Sequence, residues 1–117
     1  MAGGINDDIC QKPWGSYEVL WRGSDALLKR LTILKGEQIS YQYHLKRSEV
    51  WTVTRGTGLL ILDGSYRLIT AGDTVTINKE VRHSVEACST DLIMYELQVG
   101  ECDENDIIRL QDKYGRV

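Results

Sequence analysis

Hydrophobic and polar residues alternate with a period of two along most of the chain, and turn residues cut the alternation into short pieces. Residues 16–21, 27–34, 38–44, 49–55, 58–62, 66–70, 74–77, 82–87 and 91–99 are predicted to be strands. Asp63-Gly64, between LLIL and SYRLI, predicts a two-residue hairpin, since that turn requires positive φ, which Asp and Gly tolerate. Gly36, Gly56, Gly72 and Gly100 mark further reversals. Beyond residue 102, DENDIIRLQDKYG is predicted to form one short helix, capped by Asp103 and with Ile107, Ile108 and Leu110 as a narrow apolar stripe. So many short strands leave unpaired edges unless the sheet closes or doubles over, so the expected architecture is an all-β barrel or jelly roll.

The 117 residues, 42% hydrophobic and 26% charged, suit one domain over residues 1–117. No apolar run approaches the roughly 20 residues that cross a bilayer, so no membrane partner is expected. The opening MAGGINDD lacks the basic and apolar regions of a secretion leader. A formal charge of −3 with interspersed signs argues against nucleic acid. Cys10, Cys88 and Cys102 are odd in number and form no C-x-x-C pair, which points to reduced, buried or half-buried thiols in a cytoplasm. With no Phe in the chain, Trp14, Trp51 and the six tyrosines are expected to supply the aromatic core.

Residues 36–56, GEQISYQYHLKRSEVWTVTRG, concentrate the candidate chemistry. Side chains at i and i+2 of a strand share a face, so Ser40, Gln42 and His44 point one way and Tyr41 and Tyr43 the other. After the turn LKRS, Glu49 opens the next strand with Trp51 and Val53 on its face, returning a carboxylate to the same neighbourhood. His83, the second of two histidines, sits in a later strand with Val85 on its face. It joins the group if that strand is brought alongside.

These residues resemble the cupin signature. The first cupin motif is similar to G-x5-H-x-H-x4-E-x6-G, reproduced by Gly36, Gln42, His44, Glu49 and Gly56 with Gln in place of the first His. The second is similar to G-x5-P-x-G-x2-H-x3-N; Gly72 and His83 hold their places, while Asn78, Glu80 and Ala87 depart from it. KPWGSYEVL, KRLTILKGEQIS, RSEVWTVTRGTG, LQVGE and DIIRLQDKYGR further resemble the C-terminal cupin domain of type II phosphomannose isomerases, often fused to mannose-1-phosphate guanylyltransferase. That resemblance runs from Lys12 to the end of the chain, and Gln at the first ligand position is what that branch has. It implies a double-stranded β-helix and a divalent ion, zinc first, with Mn, Fe, Ni or Co as alternatives, held by Gln42, His44, Glu49 and His83. It further implies a mannose 6-phosphate/fructose 6-phosphate isomerase, a sugar phosphate as partner, a homodimer, and a catalytic role for Arg116 in the closing Y-G-R. No glycine-rich nucleotide loop is present in these residues, so isomerisation without guanylyl transfer is expected.

Two imidazoles, an amide oxygen and one carboxylate leave a divalent ion Lewis-acidic, as an aldose–ketose isomerisation through an enediolate requires. Glu96, alternating with Gln98 in DLIMYELQV, is the candidate acid/base. Lys29, Arg30, Lys46 and Arg47 join Arg116 as candidate phosphate-binding cations. The LKRS turn departs from the more histidine-rich loop of the family. Two other readings stand beside this one: a non-catalytic cupin that binds a sugar or metabolite, and a metal-dependent oxygenase.

Overall fold

The computed structural model describes residues 9–117, so the opening MAGGINDD lies outside the described residues. Eleven antiparallel strands form two sheets: β1 (Ile9–Lys12), β2 (Gly15–Arg22), β3 (Ala26–Ile33), β4 (Tyr41–Tyr43), β5 (Arg47–Arg55), β6 (Thr57–Leu62), β7 (Ser65–Thr70), β8 (Thr74–Ile77), β9 (His83–Ala87), β10 (Leu92–Gly100) and β11 (Ile108–Gln111). One sheet has the order β1-β2-β3-β10-β5-β8 and the other β11-β4-β9-β6-β7. This is the expected double-stranded β-helix. No helix of the described residues is long and apolar enough to cross a membrane.

Each of the nine predicted strands has its counterpart, with 38–44 shortened to Tyr41–Tyr43, and alternation places one face of most of them against the interior, whereas β7 buries only Ile69. Asp63 (φ 44°) and Gly64 (φ 83°) form the predicted β6–β7 hairpin, with Leu62 paired to Ser65. Two strands were not anticipated. ICQK carries no alternation, yet it pairs as β1 with β2 across the turn at Pro13-Trp14.

The predicted C-terminal helix does not form. Asp103 Oδ1 accepts the Asn105 amide and the Asp103 carbonyl accepts the Asp106 amide, but the single turn stops there. The chain then extends as β11 and pairs with β4. A short helix with three apolar residues is marginal alone. The open backbone edge of β4 and the β-branched pair Ile107-Ile108 favour a strand, so tertiary pairing overrides local propensity.

Along the inward faces the residues change character at one level of the barrel. In β10, Leu92 and Met94 give way to Glu96 and Gln98; in β5, Val53 and Trp51 to Glu49 and Arg47; in β9, Ala87 and Val85 to His83. Register aligns these changes. Met94 lies between Leu31 and Val53, Glu96 between Lys29 and Trp51, and Gln98 between Leu27 and Glu49. One half of the interior is therefore an apolar core of Leu31, Ile33, Trp51, Val53, Leu60, Ile69 and their neighbours, Trp14 included. The other half buries Lys29, His44, Arg47, Glu49, His83, Glu96 and Gln98.

The glycines connecting the strands separate two kinds of constraint. At Gly64 an added Cβ meets nothing within 4 Å, so only its positive φ matters; at Gly56 (φ 85°) it meets the Asp91 carbonyl oxygen at 2.3 Å. Gly64→Ala is expected to cost about 1 kcal/mol, the penalty of left-handed backbone. Gly56→Ala is expected to cost about 3 kcal/mol or more, since β5 and β10 must also separate. Urea unfolding of both variants measures the difference, and equal losses would contradict the close approach.

Candidate metal centre

Three inward-facing residues meet where the polar half begins. Gln42 of β4 is paired directly with His83 of β9, which fixes both on one face of the five-stranded sheet. His44 follows at the end of β4, and Glu49 enters from β5 in the opposite sheet. His44 Nε2 lies 3.2 Å from Glu49 Oε2, and His83 Nε2 lies 3.7 Å from Glu49 Oε1. The ligating atoms of His44, Glu49 and His83 all fall within 4.8 Å of one another, and all three side chains are buried.

Both imidazoles are held in the tautomer that ligation requires. His44 Nδ1–H donates to the Asp106 carbonyl (2.6 Å) and His83 Nδ1–H to the Val81 carbonyl (2.9 Å). A carbonyl only accepts, so each neutral ring carries its lone pair on Nε2, toward Glu49. Burial, reinforced by Arg47, pushes the His44 pKa down to about 4, and burial lowers that of His83 as well. Both rings are therefore neutral at physiological pH. His83 Nε2 is fully buried yet has no hydrogen-bond partner. An orphaned lone pair beside a carboxylate and a second imidazole fits a divalent cation, and two nitrogens with an oxygen form a donor set suited to zinc and its neighbours.

Gln42 completes the predicted quartet in position but not yet in orientation. Its Oε1 accepts from Ser40 Oγ, and its Nε2 lies 3.5 Å from His44 Nε2. A half-turn of the amide exchanges the two atoms and presents the oxygen to the centre. Arg47 addresses the same lone pairs a cation would use: Nε–H donates to Glu49 Oε2 at 2.9 Å, and Nη2 lies 3.3 Å from His44 Nε2.

The centre opens into a cavity of about 350 Å³ lined by Lys12, Tyr17, Lys29, Glu96, Arg109 and Arg116, among others. Glu96 is buried there. Trp51 Nε1 donates to its Oε1 at 3.0 Å and Gln98 Nε2 to its Oε2 at 2.6 Å. Burial first, then the charge of Glu49, raises the Glu96 pKa to about 6. Trp51 Nε1 is also 3.1 Å from Glu49 Oε1, so one indole joins the two carboxylates.

Of the predicted cations, Lys29 and Arg47 face the interior, whereas Arg30 and Lys46 lie outside, paired with Glu18 and Glu101. Arg116 lines the cavity but forks onto Asp112 through Nε (2.7 Å) and Nη2 (2.9 Å). Asp106 and Arg109 escaped the sequence reading because they lie in the segment assigned to a helix. Read as a strand, that segment carries Arg109 on a definite face. Asp106 orients a candidate ligand from behind. Its carbonyl holds the His44 ring, while its carboxylate accepts the amides of Leu45 (3.0 Å) and Lys46 (2.9 Å).

Comparison with known proteins places these features in a family context. The family model described as mannose-6-phosphate isomerase C-terminal matches residues 6–112. Mannose-1-phosphate guanylyltransferase of Salmonella montevideo is 36% identical over 107 residues, covering 90% of this chain and 23% of that protein. The protein of the same name in Escherichia coli K12 is 33% identical over 108 residues, covering 91% and 23%. The chain thus spans less than a quarter of the length of these relatives. Among solved structures, an RmlC-like cupin from Shewanella frigidimarina superposes with a TM-score of 0.75 at 21% identity, covering 90% of this chain and 91% of that one. At that identity the likeness shows the fold.

One divalent ion per chain is expected to survive dialysis. His83→Ala and Glu49→Ala are each expected to lose it, and Asp106→Ala, which keeps the carbonyl on the His44 ring but frees the Leu45 and Lys46 amides, to weaken it about 10-fold. Elemental analysis and chelator competition measure this; wild-type affinity in all three variants would contradict the assignment.

Proposed function

The chain belongs to the mannose-6-phosphate isomerase C-terminal family, and on that premise we propose that it interconverts an aldose phosphate and its ketose phosphate, with mannose 6-phosphate and fructose 6-phosphate as the pair. The observation that supports this reading most is that Glu49, the carboxylate of the His44–Glu49–His83 cluster, lines the same cavity as Glu96, a buried carboxyl whose pKa is raised toward neutrality.

His44, Glu49 and His83, joined by Gln42 once its amide turns, would hold a divalent cation, which would supply Lewis-acid stabilisation of the developing enediolate. In this proposal Glu96 takes the proton from the hydroxyl-bearing carbon and returns it to the neighbouring carbonyl carbon, while the hydroxyl proton passes from the first oxygen to the second across the enediolate. The Trp51 and Gln98 donors hold both Glu96 oxygens in place, so the carboxylate is oriented before substrate arrives. A pKa near 6 suits a group that shuttles a proton, being low enough to leave it largely ionised at neutral pH and high enough to keep it basic toward a carbon-bound proton. Arg116, fixed by Asp112 on the cavity wall, orients the sugar.

Because the base works deprotonated, the rate is expected to rise with pH through a limb at or below about 6 and then level off. A cation on the neighbouring ligands draws that limb lower rather than higher. Glu96→Gln is expected to reduce kcat by about 100- to 10,000-fold while the metal is retained. A coupled assay of mannose 6-phosphate conversion, with and without chelator, tests the reading. Full metal loading without turnover, or turnover indifferent to Glu96→Gln, would contradict it.

A further inference from the structure

The cavity is positively charged although the chain is not. Five cations, Lys12, Lys29, Arg47, Arg109 and Arg116, line it against three carboxylates, Glu49, Glu96 and Glu104. Most of these cations are already engaged. Arg47 is paired with Glu49, Lys29 with Glu104 and Arg116 with Asp112. Asp112 is held so firmly that its pKa falls to about 2, driven first by the Arg116 hydrogen bonds.

Arg109 is different. Its Nε is fully buried with no hydrogen-bond partner, and its guanidinium has no carboxylate among the described residues. Lys12 also lacks a carboxylate among them, but it lies on β1, at the far edge of the other sheet, over the ring face of Tyr17. A half-buried guanidinium whose buried Nε–H has no acceptor is a costly arrangement that a bound anion relieves.

Register fixes where Arg109 stands relative to the metal ligands. Arg109 of β11 is paired with Gln42 of β4, and Gln42 with His83 of β9. Directly paired residues share a face, so the three form one row across three adjacent strands. At about 4.8 Å per strand, the backbone of Arg109 stands roughly 10 Å from that of His83. That distance is comparable to the length of an open-chain six-carbon sugar.

We infer that Arg109 is the anchor for the terminal phosphate of a phosphorylated sugar whose other end lies at the His44–Glu49–His83 cluster. The inference rests on the proposed substrate class, and it assigns the phosphate to Arg109 rather than to Arg116. A planar guanidinium with unspent donors matches a phosphate in two-point contact, whereas the Arg116 fork is already filled by Asp112. Specificity follows from position: a neutral sugar reaches the cluster but leaves Arg109 unpaired.

Isothermal titration of the metal-loaded chain with mannose 6-phosphate and with mannose tests this. Wild-type protein is expected to prefer the phosphate ester, and Arg109→Gln to weaken mannose 6-phosphate binding about 10- to 100-fold, erasing the preference. Arg109→Lys is expected to restore part of it, and metal content and unfolding midpoint report whether the fold survives in both variants. Preference lost on Arg116→Gln instead, or wild-type affinity in a folded Arg109→Gln, would overturn the inference, as would equal affinity of the wild type for the two sugars. Arg109-dependent binding without isomerisation would leave the anchor standing and remove the proposed reaction.

Discussion

A buried charge or imidazole must find partners inside the protein, and this barrel buries half a core of them. Lys29, His44, Arg47, Glu49, His83 and Glu96 are each at most 5% exposed. Taken singly, each would shift its protonation state or destabilise the fold. Taken together they nearly satisfy one another: Arg47 with Glu49, the two imidazole Nδ1 atoms with backbone carbonyls, and Trp51 bridging Glu49 and Glu96. The remainder is specific. Among the described residues His83 Nε2, Gln98 Oε1 and Arg109 Nε lack partners, and the first and last belong to residues of the row that runs through Gln42. What that row leaves unsatisfied has the chemistry of a cation site at one end and an anion site at the other.

Much of the fold was legible because alternation is a local signal. Strands 47–55 and 92–100 announce both their faces and, through Glu49 and Glu96 on the buried face, the point where the interior turns polar. The i, i+2 relation of Gln42 and His44, and the return of Glu49 after LKRS, needed nothing beyond strand geometry. Placing His83 beside them depends on β4 pairing with β9, a strand far away in the sequence, which periodicity does not encode; the resemblance to a known motif carried that step. The C-terminal segment was misread for the complementary reason. Its capping residue and apolar spacing were compatible with a helix, while the deciding influence was the unpaired edge of β4. With the strand went its inward residue, Arg109, and the clasp formed by Asp106.

That clasp makes the last stretch of the chain part of the site. The residues from Asp103 to Arg109 hold the His44 ring, tie down the Leu45–Lys46 turn and contribute lining to the cavity. Although burial alone would raise it, the Asp106 pKa is lowered by the Leu45 and Lys46 amides, so the clasp stays ionised well into mildly acidic conditions. The cavity's excess of cations, inside a chain of formal charge −3, focuses attraction for an anion on the mouth rather than the outer surface. In the proposed reading, the family relationship and this local field both favour a phosphorylated ligand.

The central claim is that two distant imidazoles and a carboxylate share one cation. X-ray absorption at the zinc edge of the zinc-loaded chain tests it most directly. The expected spectrum has a nitrogen and oxygen shell at about 2.0–2.1 Å with outer-shell scattering from two imidazole rings. A shell with one imidazole or none would place the ion elsewhere and leave the polar half of the barrel without its explanation.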